Sequence, residues 1–408
     1  MFNRRKFFKI GSSALGLISM SSFSFTETKN YGNLLSIADP IKNLRSQLLV
    51  PPSRIYLNTG SLGPSPQSVI DVVLSSMKKL ESNPAPENWG ALGNEMETVR
   101  SKIGGFINAP AEDIILTRNT TEGLSLIGQT LKLNQGDEII TTTREHGGGE
   151  VGFEYIAQRD GATLRRVELP MPATSVAEIV ETIESTLTEN TRVLLLSHVN
   201  TITGMKMPIE KISSLIKARN IWLIIDGAQA PGLIDVDIEN LGVDAYASSG
   251  HKWMLGPKET GFLYLSKNLQ EKFKPVFTSK GFKSYSASSG TRNVAQFIGL
   301  GKSVDIHNEI GTKTIEKHCV DIADYCREKL SHIEGTSIIS PTHKDLRTGI
   351  VSLKLEKANN AEISGLLAEK DIIVKTLPGI NALRFSCHLF VSKEEIDRLA
   401  AELDTLLA

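Results

Sequence analysis

The sequence predicts an α/β protein with a large, doubly wound, mostly parallel sheet and a smaller C-terminal α+β domain. Apolar runs without alternation, such as RVLLLSHV and WLIIDGA, are typical of strands buried on both faces. Helix-like stretches separate these runs, as in parallel strands joined by crossover helices. The pattern of apolar runs and helical stretches changes after about residue 298. Because 408 residues are also long for one domain, a second domain is expected.

The strands of the large domain are expected where short apolar runs end in polar or glycine residues. They are DIILT (113–117), EIITTT (138–143), RVLLLSHV (192–199), WLIIDGA (222–228), AYASSG (245–250) and GFLYLS (261–266). Helical stretches follow the first two strands, as TEGLSLIGQTL (121–131) and a segment that ends near AQRDG (157–161). Because ligands on such sheets bind at the carboxyl ends of the strands, candidate site residues are sought there.

The C-terminal domain is predicted from a long helix, short strands and a final amphipathic helix that starts after the N-cap residue Ser392. The segments are KHCVDIADYCREKL (317–330), GIVSLKL (349–355), ALRFSC (382–387) and SKEEIDRLAAELDTLL (392–407). The expected organisation is a signal peptide at 1–30, an N-terminal segment at 31–60 that packs with the small domain, a large domain at 61–298 and a small domain at 299–408.

The amino terminus predicts export. The segment NRRKFFKIG (3–11) carries paired arginines, and the serine-rich, modestly apolar SSALGLISMSSFSF (12–25) follows it. A basic region before a short apolar one is typical of a signal peptide, and the segment is shorter than the ~20 residues of a membrane span. The twin arginine resembles the signal of the export route for folded proteins, which predicts the export machinery as a partner and a periplasmic location. The alternative is a disordered basic tail.

Composition excludes several classes of protein. Lys+Arg total 45 and Asp+Glu 46, so no net charge draws the chain to nucleic acid or acidic membranes, and no later segment is apolar enough to anchor it in a membrane. Three cysteines rule out a disulfide scaffold. Cys319 and Cys326 are seven residues apart on a predicted helix, roughly 10 Å, which is too far for a disulfide. No metal site is expected.

Polar residues that suit a bound ligand follow several of the predicted strands. Asn119, Thr120 and Thr121 lie between a strand and a helix, where backbone N–H groups and hydroxyls suit a phosphate; the alternative is that one threonine caps the helix. Asp226 ends a buried strand. Its carboxylate is interpreted as the partner of a cationic nitrogen, such as that of a protonated pyridine; the alternative is that Asp226 is a turn residue. Gln229, three residues on, is placed to donate to a substituent of such a ring.

The segment SSGHKW places Lys252 among polar neighbours, Ser249 and His251, at the end of another strand. A partly desolvated lysine loses its proton and forms a Schiff base with a carbonyl; the alternative is an ordinary loop lysine. His146 follows the strand at 138–143, before three glycines that permit close approach. Its imidazole would stack on an aromatic ring, or it is simply a loop histidine.

This order of residues resembles the fold-type I pyridoxal-phosphate (PLP) enzymes, specifically the class V aminotransferase family with its isopenicillin-N epimerase-like and cysteine desulfurase-like branches. The resemblance runs from IYLNTGSLGPSP (55–66) to the final helix, and DGAQA with SSGHKWMLGPKETGFLYL is its most specific part. It implies a PLP-dependent transferase or isomerase. It also implies a homodimer, because Thr291 of SGTRN would reach the phosphate of the neighbouring subunit.

The resemblance implies a role for each candidate. Lys252 would hold the cofactor as an internal aldimine and act as general base at Cα, Asp226 would keep the pyridine nitrogen protonated, and His146 would stack on the ring. The remaining cofactor-binding residues would be Thr120, Thr121, Ser249 and His251 at the phosphate, with Gln229 and Thr201 at the ring oxygen. Whether Thr201 or the adjacent Asn200 contacts that oxygen stays open.

Arg384 would bind the substrate α-carboxylate in a bidentate pair. The alternative is that it is an ordinary surface arginine of the small domain. Asn58, Arg144 and Arg292 are candidates for the substrate side-chain pocket. Cysteine desulfurases need a nucleophilic cysteine upstream of the matching arginine, where this chain has KTLPGIN (375–381). Cys387 follows that arginine and is expected in the core.

These departures favour aminotransferase or epimerase chemistry at the α-carbon of an amino acid or of a peptide amino group. They argue against persulfide transfer. The GTRN and SLGPSP stretches are closer to the epimerase-like branch. A cysteine or selenocysteine lyase and a non-catalytic PLP-binding protein are the alternatives. Binding alone needs neither an electron sink nor a clamp for a carboxylate, so the catalytic interpretation is preferred.

Overall fold

The structure is a computed structural model that describes residues 40–274 and 290–408. The predicted signal peptide at 1–30 lies outside the described residues. In chain order the helices are α1 Pro40–Ser46, α2 Gln67–Ser82, α3 Pro84–Trp89, α4 Ala91–Ile107, α5 Thr120–Thr130, α6 Gly147–Asp160, α7 Val176–Thr186, α8 Ile209–Ile216, α9 Ile238–Leu241, α10 Lys267–Lys272, α11 Val294–Ile310, α12 Thr312–Leu330, α13 Asn360–Glu369 and α14 Lys393–Leu407.

The strands belong to three sheets. They are β1 Ile55–Tyr56, β2 Ile114–Thr117, β3 Glu138–Thr142, β4 Thr163–Val167, β5 Thr191–Ser197, β6 Trp222–Asp226, β7 Ala245–Ser249, β8 Gly261–Leu265, β9 Thr336–Ile338, β10 Ile350–Leu355, β11 Ile372–Ile373, β12 Lys375–Leu377 and β13 Ala382–Ser386. No helix in the described ranges is long and apolar enough to cross a membrane.

The large sheet has the order β2-β8-β7-β6-β5-β3-β4 within the described residues. Strands β3 to β7 run parallel, and β8 is antiparallel to both of its neighbours. The predicted doubly wound, mostly parallel sheet is therefore confirmed. Strand order changes direction at β3, because β4 lies on one side of it and β5 on the other. Such a switch point is where open α/β sheets bind ligands.

The edge strand β4 was missed by the sequence analysis. Its sequence, TLRRV, is largely exposed or half-buried, and only Val167 is buried. The central strands β5 and β6 instead bury nearly every residue, which makes their apolar runs recognisable. Fully burying one such aliphatic side chain stabilises the fold by about 1.5–3 kcal/mol. The interior strands thus carry a strong hydrophobic signal and the edge strand does not.

Helices α5 and α6 cover one face of this sheet. The cluster there includes Leu124, Ile127 and Phe153, none of them exposed to solvent, against Leu195 and Ile224 of the central strands. Gly128 and Gly152 let the two helices approach closely, because a Cβ on Gly128 would lie 2.5 Å from the carbonyl oxygen of Gly152. This packing fixes the N-terminus of α5 against the end of the sheet.

The C-terminal part forms an antiparallel sheet of order β12-β13-β10-β9 together with α12, α13 and α14. A smaller α+β unit is therefore present, as predicted. The N-terminal strand β1 pairs in parallel with β11, so Ile55–Tyr56 lies beside Ile372–Ile373. The expected boundary between 298 and 299 falls inside the continuous helix α11.

Candidate active site

A cavity of about 410 Å³ lies at the carboxyl ends of the large sheet, between its loops and β13. Its lining residues are Gly60, Ser61, Asn119, Thr120, Thr121, His146, Gly149, Thr201, Asp226, Ala228, Gln229, Ser249, His251, Lys252, Lys375 and Arg384. Most of the predicted site residues therefore meet in one place. The loops after β3 and β5 border this cavity, at the switch point of the sheet.

Besides Asn200, four candidates do not line this cavity. Arg144 pairs with Glu168 and donates to the carbonyl of Leu169 at 2.6 Å, and Arg292 donates to the carbonyl of Leu116 at 2.6 Å. Thr291 is exposed, and Asn58 belongs to the turn that leads into Gly60. The side-chain directions of these residues were not readable from the sequence.

The N-terminus of α5 faces the cavity, and Asn119 caps it. Its Oδ1 accepts a hydrogen bond from the N–H of Glu122 at 2.9 Å. Neither Thr120 nor Thr121 is therefore needed as the N-cap residue, so the capping alternative for the threonines is wrong. The Ser249 hydroxyl lies 2.8 Å from the Thr120 hydroxyl. Hydroxyls and the positive end of a helix dipole converge here, as an anion requires.

His251 adds an imidazole to this corner. Its Nδ1 is buried and has no hydrogen-bond partner among the described residues. Burial lowers the pKa of His251 to about 4, and the charges of Lys252 and Lys258 act in the same direction. An unpartnered buried nitrogen costs free energy, about 1–3 kcal/mol, unless a ligand satisfies it. A phosphate oxygen bound at the N-terminus of α5 would do so.

Asp226 ends β6 with its carboxylate buried. Its Oδ1 accepts from the N–H of Ala228 at 2.9 Å. Burial raises the pKa of Asp226, whereas the Lys252 charge, that hydrogen bond and the His146 charge lower it. A Cβ on Gly149 would lie 2.7 Å from Oδ2 of Asp226, so only glycine leaves the space in front of this oxygen open. The arrangement suits a cationic partner in the cavity.

His146 caps α6 and is held by its own helix. Its Nδ1 accepts from the N–H of Gly148 at 3.1 Å, which makes it the unprotonated nitrogen of a neutral imidazole. Burial and the charge of Lys252 lower the pKa of His146, so the neutral form is favoured. A neutral ring fixed at the rim of the cavity is suited to packing against a flat ligand.

Lys252 is half-buried and lines the cavity. Burial lowers its pKa to about 8; the charge of Arg384 also lowers it, and Asp226 opposes the shift. The following residue, Trp253, is fully buried and donates from Nε1 to Oε1 of Gln229 at 2.7 Å. The tryptophan thereby anchors the chain beside the lysine. A large fraction of the amine is neutral near pH 8, as nucleophilic attack on a carbonyl requires.

Thr201, and not Asn200, lines the cavity. The Asn200 side chain accepts from the N–H groups of Ile202 and Thr203, at 3.0 Å each, and so holds its own turn together. The Thr201 hydroxyl accepts from Nε2 of Gln229 at 3.1 Å. Of the two candidates for the ring oxygen, the geometry therefore favours Thr201.

Arg384 lies on β13 and is 2% exposed. Its Nη1 donates to the carbonyl and the hydroxyl of Thr201, at 3.0 and 2.8 Å, and its Nη2 donates to Ser61 at 3.1 Å. Nε has no partner, and no carboxylate pairs with this guanidinium among the described residues. Burial lowers its pKa to about 10. A buried guanidinium without a counter-ion is a binding site for an anion.

Three residues near Asp226 were missed by the sequence analysis. The backbone N–H of His198 donates to the carbonyl of Asp226 at 2.9 Å, and its Nδ1 is hydrogen-bonded to the Tyr246 hydroxyl at 2.9 Å. Glu145 accepts from the hydroxyls of Thr142, at 2.8 Å, and Ser197. For Glu145, the position next to His146 is the only sign in the sequence that it lies near the site.

Burial raises the pKa of Glu145 to about 7, with a smaller contribution of the same sign from Asp226; the two hydroxyls oppose it. A raised pKa in the folded state gives stability that is complete below the ordinary value of 4.5 and is lost as the pH rises to about 7. In the cofactor-free protein, Glu145→Gln is expected to remove this dependence. The unfolding free energy of wild type minus that of the variant should fall by about 3 kcal/mol across this range, as measured by denaturant titration. A constant difference would contradict the buried, protonated carboxyl.

The family profile described as "Aminotransferase class-V" matches residues 55–399. The fold and the site thus define a PLP-dependent enzyme. The chain belongs to the class-V aminotransferase family.

Its relatives carry different names. The chain is 28% identical over 396 residues to an isopenicillin N epimerase of Streptomyces clavuligerus, an alignment that covers 91% of this chain and 99% of that protein. It is 30% identical over 381 residues to a probable cysteine desulfurase of Halalkalibacterium halodurans, which covers 86% and 92%. The apo structure of a cysteine desulfurase from Thermococcus onnurineus NA1 superposes with a TM-score of 0.80 at 23% identity, covering 90% of this chain and 98% of the other.

The residues of the cavity fit PLP. His251, whose Nδ1 has no partner among the described residues, lines the same cavity as the hydroxyls at the N-terminus of α5, where the phosphate would bind. Asp226 offers a buried carboxylate to the ring nitrogen, and Lys252 offers an amine of lowered pKa to the aldehyde. Within the described ranges, no group of three or more histidine, cysteine and acidic side chains is arranged for a metal ion.

Proposed function

We propose that this protein acts at the α-carbon of an amino acid, or of a peptide amino group, in the manner of an aminotransferase or an epimerase. One observation carries the proposal: the buried Arg384 has no carboxylate partner in the described residues and lies in the same cavity as Lys252 and Asp226. A cofactor pocket alone does not need this guanidinium. A substrate with an α-carboxylate would pair with it and present its amino group to the cofactor.

PLP, when bound, supplies an electron sink for the bond that breaks at Cα. The chain does the rest. Thr120, Thr121, Ser249 and His251 would hold the phosphate, and Thr201 with Gln229 would border the ring oxygen. Asp226 would keep the ring nitrogen protonated, while His146 packs on the ring face.

Lys252, once displaced by the substrate amine, would take the proton from Cα and return it. Its lowered pKa, about 8, keeps a useful fraction of the amine neutral near physiological pH.

Arg384 is expected to set affinity for the substrate carboxylate. Arg384→Met removes both Nη donors, so the dissociation constant of an amino acid substrate should rise roughly 100-fold or more. Binding is measured by titrating the cofactor absorbance of the holoenzyme. Arg192→Met is the matched control, because Arg192 is half-exposed near the opposite end of β5 and outside the cavity. Unchanged affinity in Arg384→Met would contradict the assigned role.

A second candidate function is a cysteine or selenocysteine lyase, which is supported by the relatives named cysteine desulfurase. Persulfide transfer needs an accessible thiolate. Cys387 is fully buried, and its hydrogen bond with Cys326 and its burial raise its pKa well above the ordinary value. Sulfide release from cysteine that is undiminished in Cys387→Ala would favour a lyase. Absence of sulfide from cysteine and of selenide from selenocysteine with wild type would exclude it.

We also propose a periplasmic homodimer. The paired arginines of residues 3–11 support export by the twin-arginine machinery, and a fusion of residues 1–35 to a reporter that stays in the cytoplasm would disprove it. Thr291 is exposed and outside its own cavity, as a residue that reaches a neighbouring subunit would be. A monomer in sedimentation analysis of the holoenzyme would disprove the dimer.

A further inference from the structure

Lys375 contributes a second cation to the active-site cavity. It is the first residue of β12 and stands directly opposite Arg384 of β13 in the antiparallel register. Directly opposed residues project from the same face of a sheet with their Cβ atoms about 5 Å apart. Because Arg384 points into the cavity, Lys375 does as well, and both residues line it. Lys375 differs in being exposed, which places it at the mouth.

Nothing in the described residues neutralises this lysine. It takes part in no ion pair or hydrogen bond there. The lining carries Lys252, Lys375 and Arg384 against one carboxylate, Asp226. Like charges directly opposite each other on a sheet are destabilising, so a lysine facing an arginine without a counter-ion has a cost in stability. Such a cost is expected at a site that binds an anion.

The position of Lys375 separates it from the groups that would hold the cofactor phosphate. Those groups lie at the start of α5, whereas Lys375 lies on the small sheet beside Arg384. Burial chiefly lowers the pKa of His146, and the charges of Lys252, Arg384 and Lys375 add to this effect, so Lys375 lies near the rim on which the histidine sits. The cation therefore faces the substrate side of the cavity.

We propose that Lys375 binds a second carboxylate on the substrate, so that the enzyme selects an acidic amino acid with a free side-chain carboxylate. This inference rests on the proposed function. The α-carboxylate would pair with the buried Arg384, and the side-chain carboxylate would reach the exposed Lys375 at the mouth. Amide, apolar and cationic side chains would leave Lys375 unpaired.

The test is a titration of the holoenzyme, followed by the absorbance of its cofactor. The ligands are aspartate and glutamate, their amides asparagine and glutamine, and lysine, each as both enantiomers. Wild type is expected to bind the better acid about twofold to fivefold more tightly than its amide, and high salt should reduce this ratio. Lys375→Gln should bring the ratio close to one, and Lys375→Glu should invert the preference towards lysine.

Lys354→Glu is the matched control. It makes the same charge change on β10 of the same sheet, at an exposed position outside the cavity, and should keep the wild-type ratio. Two results would overturn the inference alone: binding of amides as tightly as acids by wild type, or an acid preference that survives in Lys375→Gln. If none of these amino acids perturbs the cofactor absorbance, the inference fails together with the part of the proposed function that concerns free amino acids.

Discussion

Lys252→Ala is expected to abolish covalent attachment of PLP and to lower activity by roughly 10³-fold or more, because one residue supplies both the amine for the aldehyde and the base at Cα. Of the two lysines that line the cavity, Lys252 is the half-buried one, and burial lowers its pKa to about 8. Attachment is measured by borohydride reduction followed by mass spectrometry of the intact protein. Wild type should gain the mass of reduced PLP and the variant should not.

Lys79→Ala is the control for Lys252→Ala, since Lys79 is 49% exposed and forms a surface pair with Glu87 at 3.5 Å. It should retain the reducible linkage and full activity. A reducible linkage in Lys252→Ala, located by peptide mapping to another lysine, would overturn the assignment. Loss of the linkage in both variants would show that attachment depends on the fold as a whole and not on the Lys252 amine.

Asp226→Asn is expected to lower kcat by about 10²- to 10³-fold without destabilising the protein. Removing one preorganised electrostatic partner of the reacting group has an effect of this size. The buried carboxylate has no cationic side chain bonded to it in the described residues, so a neutral amide of the same shape costs little or adds stability to the cofactor-free protein. The kcat should therefore fall while the melting temperature of the cofactor-free protein rises or stays the same.

Asp244→Asn is the matched comparison for Asp226→Asn. Asp244 is a half-buried carboxylate whose pKa is also raised by burial, but it lies at the opposite end of the sheet and accepts from the N–H of Leu223 at 2.9 Å. Both oxygens of Asp244 accept hydrogen bonds, from the N–H of Leu223 and from the Ser266 hydroxyl, and an amide keeps only one of these acceptors. We therefore expect this variant to lose stability and to keep its kcat. Equal kcat values for wild type and Asp226→Asn would contradict the proposed contact with the ring nitrogen.

The sequence was informative where burial dominates. The interior strands β5 and β6 are apolar throughout, so their positions and the polar residues that end them were predictable. The edge strand β4 was missed because it is largely exposed or half-buried and carries two arginines, so it has no continuous apolar run. The three residues of β12 were missed because so short a strand has no periodicity to detect.

Side-chain direction limited what could be predicted of the site. The sequence placed Arg144 and Arg292 near the substrate, but each is bound to a backbone carbonyl elsewhere. Lys375 lies in the cavity because β12 pairs with β13, which brings it opposite Arg384 across a turn. The contact between Cys326 and Cys387 arose in the same way, from a helix packed against the small sheet. Such relations become visible only when the elements are assembled.

The most direct measurement is exchange of the α-proton in heavy water. Holoenzyme is incubated with amino acids and amine-bearing peptides, and mass spectrometry follows deuterium at Cα while absorbance follows the cofactor. Wild type is expected to introduce deuterium at Cα of at least one acidic amino acid or peptide, and Lys252→Ala is expected to introduce none. Conversion to the pyridoxamine form would then identify an aminotransferase, and its absence an epimerase or a lyase. If the cofactor responds to substrate but no α-proton exchanges, the central claim of carbanion chemistry at Cα is contradicted.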